Sequence, residues 1–125
     1  MDEKRWKGNL TELAVAKALM NAGHVISFPF GEGQRYDIIV DMKGVLKKVE
    51  CKTARLKEGF IEFNCSGTNG PYTDQIDFFG CYCIELDKTY LVPIEEVGIN
   101  KAHLRIQETK SGQKKGIRWA NDYEI

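Results

Sequence analysis

The chain has 125 residues, enough for one domain with a buried core, and 42 % hydrophobic with 29 % charged residues is a soluble globular profile. No apolar run approaches the ~20 residues of a membrane helix, and the charged start MDEKRWKGN lacks an apolar signal core, so a cytoplasmic protein is expected. The net charge of zero excludes a uniformly basic nucleic-acid binder.

In chain order, residues 5–22 predict the main helix, rich in Leu10, Leu13, Ala14, Ala16, Ala18 and Leu19 and stopped by Gly23. His24–Phe28 predicts a short strand ended by Pro29, and FGEGQR a glycine-bearing loop. Tyr36–Asp41 and Val45–Thr53 predict a hairpin around Met42-Lys43-Gly44. Gly59–Cys65 alternates, with Ile61, Phe63 and Cys65 on one face and Glu62 and Asn64 on the other. SGTNGP reads as a loop and Thr73–Asp77 as one helical turn. Phe78–Glu85 and Tyr90–Val92 read as strands across an Asp87-Lys88 turn, and Pro93–Val97 as a short helix. Leu104–Gln107 and Ile117–Trp119 predict short strands around SGQKKG. The sum is an α/β domain.

Charge is segregated along the chain. Residues 42–57 and 101–118 each hold six basic side chains against one acid, while residues 74–96 hold six acids against Lys88. Such a distribution can build one basic face for phosphates on a neutral protein, or leave solvated loops of mixed sign. The cysteines Cys51, Cys65, Cys81 and Cys83 lie in apolar stretches and read as free thiols. CxC spacing with only two histidines is not a structural zinc pattern.

The chemistry concentrates in YDIIVDMKGVLKKVECK. Period-two alternation puts Glu50 and Lys52 on one face and Val49, Cys51 and Thr53 on the other. The hairpin can bring Asp37 beside Glu50. Two close carboxylates repel unless a cation joins them, and carboxylates with a backbone carbonyl are the oxygen ligands that Mg²⁺ takes. Lys52 could orient water and offset charge on a phosphate. The bland alternative is a cross-strand Lys52–Asp37 ion pair worth under ~1 kcal/mol if exposed. Glu12 stands above Val15, Ala16 and Leu19 on the helix, as a third acid toward the sheet or as a capping partner of Asn9. A helix starting before Trp6 favours the first.

Glu12 on the helix, Asp37 opening a strand, then Glu50-Cys51-Lys52 resemble the PD-(D/E)XK nuclease superfamily, over roughly Lys7 to Val97. Within it the chain is similar to archaeal-type Holliday junction resolvases and to small phage or intron-encoded endonucleases, on KGNLTE, FGEGQR and YDIIV. Tyr36 stands where the motif has proline. The resemblance implies a restriction-endonuclease-like central mixed sheet flanked by helices, a single domain over residues 1–125. It implies Mg²⁺, with Mn²⁺ as a substitute, held by Glu12, Asp37, Glu50 and the Cys51 carbonyl, with Lys52 as catalytic lysine. It further implies hydrolysis of DNA by a homodimer.

Arg35, Arg55, Lys57 and Tyr72 flank this site as candidate phosphate contacts, and Lys114, Lys115 and Arg118 form a second candidate patch. No helix-turn-helix or zinc finger is legible, which favours cleavage of branched DNA such as four-way junctions. A site-specific homing or restriction-type endonuclease, reading bases through residues 64–72 or 109–118, is the alternative. A non-catalytic DNA-binding module is the third.

Overall fold

The computed structural model describes residues 1–108, 111–112 and 115–125. The chain opens on helix α1 (Glu3–Asn21), two residues earlier than expected because Asp2 caps it, accepting the Arg5 N–H at 3.2 Å. Asn9 is therefore in the second turn and caps nothing at the helix start. The C-terminus closes as a Schellman motif: His24 N–H reaches the Leu19 carbonyl and Gly23 N–H the Met20 carbonyl, with Gly23 at φ 92°.

Strands β1 (Val25–Ser27), β2 (Ile38–Met42) and β3 (Val45–Leu56) follow. Next come β4 (Phe60–Asn64), the two-residue pair β5 (Ser66–Gly67) and β6 (Gly70–Pro71), β7 (Phe78–Cys83), β8 (Lys88–Pro93) and β9 (Lys101–Arg105). Among the described residues, seven of these strands make one sheet. β1, β2, β3, β4 and β9 run in that order with antiparallel pairings, β7 lies parallel to β3, and β8 pairs with β7. This is the expected restriction-endonuclease-like α/β arrangement, a mixed sheet whose one parallel step is β3–β7. Its helical cover differs from expectation. Among the described residues α1 is the one α-helix, and Ile94–Glu96 and Ala120–Asp122 are single 3-10 turns.

The β2–β3 hairpin turns at Lys43 and Gly44, both at positive φ (56° and 89°), as a two-residue primed turn requires. Register then follows: Ile38 faces Val49 and Val40 faces Lys47. Val15 and Leu19 of α1 pack on Ile38, Val40 and Val49, all fully buried, with Cys51, Phe78 and Tyr82 around them. Burial of side chains of this kind is worth ~1.5–3 kcal/mol each. The helix approaches closely because β7 offers Gly80. A Cβ there would lie 2.6 Å from Val15 Cγ1 and 3.0 Å from Val49 Cγ1. A second polar tie joins helix to sheet, with the Thr11 and Thr53 hydroxyls 2.6 Å apart and Thr11 buried.

The other face of the sheet carries its own core: Ile61, Phe63, Phe79, Cys81, Cys83, Tyr90, Val92 and Leu104, closed by Tyr72, Ile76 and Ala120. Ile61 and Phe63 of β4 point into it, as the alternation predicts. All four cysteines carry free thiols.

Three local expectations need correction. Thr73–Asp77 is not a helical turn, because Asp74 adopts φ 61° and the Gln75 N–H closes a tight turn on the Tyr72 carbonyl. The strand expected at Leu104–Gln107 starts earlier, at Lys101, since β9 takes its register from Phe60–Asn64 of β4. Ile117–Trp119 contributes a single bridge, Trp119 beside Arg105, rather than a strand.

Candidate active site

Alternation along β3 works as the sequence suggests. Val49, Cys51 and Thr53 turn toward α1, and Glu50 and Lys52 toward the opposite side. Asp37 enters just ahead of β2, where its N–H bonds the Val49 carbonyl at 2.9 Å. Its carboxyl Oδ2 accepts the Cys51 N–H at 2.9 Å. That bond holds Asp37 at the hairpin edge, within hydrogen-bond reach of the Glu50 carboxyl. Burial, then the bond shared with Asp37, push Glu50 up to about 8, although Tyr72 and Lys52 pull the other way.

Glu12 reaches the same group from α1. Burial raises its carboxyl above the ordinary value, and the facing Asp37 charge adds to this. Glu12 and Asp37 line one cavity of about 330 Å³, whose wall is the loop from Phe28 to Tyr36. The Cys51 thiol registers all three acids. It is driven far up by burial, then by the fields of Asp37, Glu12 and Glu50, so it is not a nucleophile.

Lys52 is held in place by the chain beyond β4. Its Nζ donates to the Ser66 carbonyl at 3.2 Å and to the Tyr72 hydroxyl at 3.1 Å. Tyr72 in turn donates to Glu50 Oε2 at 2.6 Å. One hydroxyl therefore couples the carboxylate and the ammonium that β3 presents two residues apart. Tyr72 is only 6 % exposed, and burial followed by the Glu50 bond keeps its hydroxyl protonated. Arg35 stacks above the Tyr72 ring at 4.1 Å, and its guanidinium donates to the Gly70 and Pro71 carbonyls at 2.8 and 2.9 Å.

The structure thus brings Glu12, Asp37, Glu50, Cys51 and Lys52 together, and turns two expected phosphate contacts inward. Tyr72 and Arg35 brace the site instead of flanking it. Tyr72 is the residue that spacing missed in this part, since it lies 22 positions from Glu50 and meets it only through the β5–β6 turn. Arg55, near the end of β3, and Lys57, just past it, are exposed, Arg55 beside Lys4, Lys7 and Thr53 in a cavity of about 720 Å³. Lys115 is exposed, and Arg118 Nε donates to the Glu96 carbonyl at 2.6 Å. Lys114 lies outside the described residues.

The donor set is all oxygen, which fits a hard divalent cation such as Mg²⁺ and not a soft one. A cation at this place would offset the burial and the Asp37 field that raise the Glu50 carboxyl. Among the described residues no group of three His, Cys, Asp or Glu side chains stands ready as a complete ligand set. Asp37 and Glu50 form the pair, and Glu12 joins it through charge from the helix side of β3. The expected triad is therefore a pair with a neighbour.

A family model for PD-(D/E)XK endonucleases matches residues 1–125. The chain belongs to the PD-(D/E)XK endonuclease family. Among solved structures, it is similar to that of a bacterial homing endonuclease, with a TM-score of 0.76 and 23 % identity over 99 % of this chain and 88 % of that one. At that identity the likeness shows the fold alone. No curated protein matches the chain. A PD-(D/E)XK endonuclease is a nuclease, so DNA is its substrate class. Among the described residues no helix is long and apolar enough to cross a membrane.

Proposed function

We propose that the protein is a divalent-metal-dependent DNA endonuclease in which Asp37 and Glu50, with the Cys51 carbonyl, would hold Mg²⁺ or Mn²⁺. The observation that carries this reading is the half-buried Asp37–Glu50 pair with Lys52 tied to it through Tyr72. When bound, the metal would supply Lewis acidity toward the phosphate and a water of lowered pKa. The chain's own residues do the rest. Lys52, fixed by Ser66 and Tyr72, sets a positive charge where a phosphodiester gains negative charge. Glu12 adds negative field from α1 and raises the site's affinity for a cation. Tyr72 keeps Glu50 and Lys52 at fixed separation, so the site is assembled before DNA arrives.

For the substrate, branched DNA is the first reading, in which a homodimer with two such sites nicks both strands of a four-way junction. Nearly the whole chain builds the catalytic fold, which suits recognition of shape. A site-specific duplex endonuclease is the second reading. Its support is the shared architecture with a homing endonuclease over 88 % of that protein's chain.

One assay separates them. The protein, Asp37→Ala and Lys52→Ala are incubated with labelled four-way junctions and with a library of linear duplexes, in Mg²⁺ or EDTA. Paired nicks in the junction, lost in EDTA and in both variants, support the first reading. Cleavage of one linear sequence supports the second. DNA binding without cleavage in either metal would leave a non-catalytic module and overturn both.

A further inference from the structure

The acids share their cavity with an unusual rim. Between β1 and Asp37 the chain runs Phe28-Pro29-Phe30-Gly31-Glu32-Gly33, and Phe28 is 56 % exposed while Phe30 is fully exposed. Single exposed apolar residues are ordinary on a protein surface. Here Phe28 and Pro29 line the cavity with Glu12 and Asp37, and Phe30, between the lining residues Pro29 and Gly31, stands out from its rim into solvent.

The loop is also braced. The Gln34 side-chain amide donates to the Phe30 carbonyl at 3.3 Å, and the neighbouring Arg35 is anchored on Gly70 and Pro71. Gly31 and Gly33 both take positive φ (96° and 89°), which lets the chain turn back sharply beneath the exposed ring. Phe30 is therefore presented by an ordered tip.

We propose that Phe30 is a base-contacting wedge: it enters the stack of the bound DNA beside the scissile phosphate, or caps a base already unstacked there. The inference rests on the reading of Asp37 and Glu50 as the nuclease site. Its logic is positional. A phosphate brought to Asp37, which shares its cavity with Phe28, Pro29 and Gly31, would bring its adjoining bases to the loop that bears Phe30, and every base offers a π-face to an aromatic ring. Inserted apolar side chains unstack and kink duplex DNA, which suits a rigid site that bends its substrate to fit. A ring of this kind reads ease of unstacking rather than base identity, so junction centres and flexible pyrimidine–purine steps are its preferred targets.

The test uses the full chain in EDTA, where binding is read without cutting. A four-way junction and linear duplexes carry 2-aminopurine at successive positions, and its fluorescence rises when the base unstacks. The wild type is expected to raise fluorescence at one or two positions. Phe30→Ala is expected to lose that rise and bind roughly ten-fold more weakly, with an unchanged dependence on salt because the phosphate contacts remain. Phe30→Trp is expected to restore the rise. Wild-type affinity and fluorescence in Phe30→Ala, or no rise anywhere with the wild type, overturns the wedge. So does a change of sedimentation behaviour in Phe30→Ala with an unaltered DNA signal, which would make the loop a contact between copies. A Phe30-dependent signal on DNA that is never cut in Mg²⁺ upholds the wedge and removes the nuclease reading, so the two fail separately.

Discussion

Tyr72 and Glu50 meet at 2.6 Å, hydroxyl to carboxylate, 22 positions apart in the chain, and the same hydroxyl accepts Lys52 Nζ at 3.1 Å. A hydrogen bond to a charged group is worth ~1.5–3 kcal/mol. Tyr72→Phe removes both bonds while keeping the ring beneath Arg35 and against Phe79. Cleavage is expected to slow by roughly ten- to one-hundred-fold with the fold intact. The sign of the accompanying pH effect is definite. Tyr72 lowers the Glu50 pKa, so its loss raises that pKa and moves the alkaline-rising limb of the rate profile to higher pH. Single-turnover rates against pH check this, and an unchanged limb would break the link.

Glu50 itself makes the metal-free protein sensitive to pH. Its carboxyl holds a proton up to about 8 in the fold and to its ordinary 4.5 when unfolded. Between those values the folded state binds more protons, so stability falls as pH rises through that window. Thermal unfolding in EDTA at pH 5.5, 7 and 8.5 is expected to show this decline, added to the contribution of other groups. Glu50→Gln flattens it, and Mg²⁺ offsets it in the wild type alone. A decline that persists unchanged in Glu50→Gln assigns it to another group.

Gly80 governs how closely α1 sits on the sheet. Gly80→Ala places a methyl 2.6 Å from Val15 Cγ1, in a core without room to spare. Overpacking of this kind costs ~1–3 kcal/mol. Chemical denaturation is expected to show that loss, and Val15→Ala in the same chain is expected to return part of it. Additive losses in the double variant would mean that the two sites do not compete for one space.

The Thr11–Thr53 contact predicts non-additivity of the opposite kind. Thr11→Val or Thr53→Val alone leaves a hydroxyl without its partner between helix and sheet, at ~1–3 kcal/mol. The double variant removes both polar groups and is expected to fall close to the wild type. Equilibrium unfolding of the four proteins closes the cycle, and a double variant as unstable as the sum of the singles would deny the pairing.

What the sequence made legible follows the range of the interactions involved. The hairpin that joins Asp37 to Glu50 is local: a Lys43-Gly44 turn and two alternating strands set its register, so the acids and Lys52 could be placed by counting. The helix was legible from its composition and Gly23, although Asp2 moved its start to Glu3. What escaped depends on distant partners. Tyr72 reaches Glu50 because β5 and β6 fold the chain back, and no spacing rule spans that turn. Arg35 and Tyr72 looked like surface contacts because their burial is supplied by each other and by Gly70 and Pro71. β9 was shifted in sequence because its limits come from pairing with β4, not from its own residues. Asp74 at positive φ replaced an expected helical turn, a conformation that Asp tolerates but does not announce.

β3 is flanked by β2 on one edge and by β7 in parallel on the other, while the segments 28–36 and 66–71 beside the site hang from strand ends. This separates two engineering problems. The β3 residues proposed to act on a phosphate cannot be re-aimed without dismantling the sheet, and residues 66–71 belong with them, since the Ser66, Gly70 and Pro71 carbonyls hold Lys52 and Arg35; the exposed tip at residues 28–33 makes no such tie to Lys52 or Tyr72 and is the part open to exchange. On the proposed function, retargeting the protein is then a graft of that tip alone onto an unaltered β3.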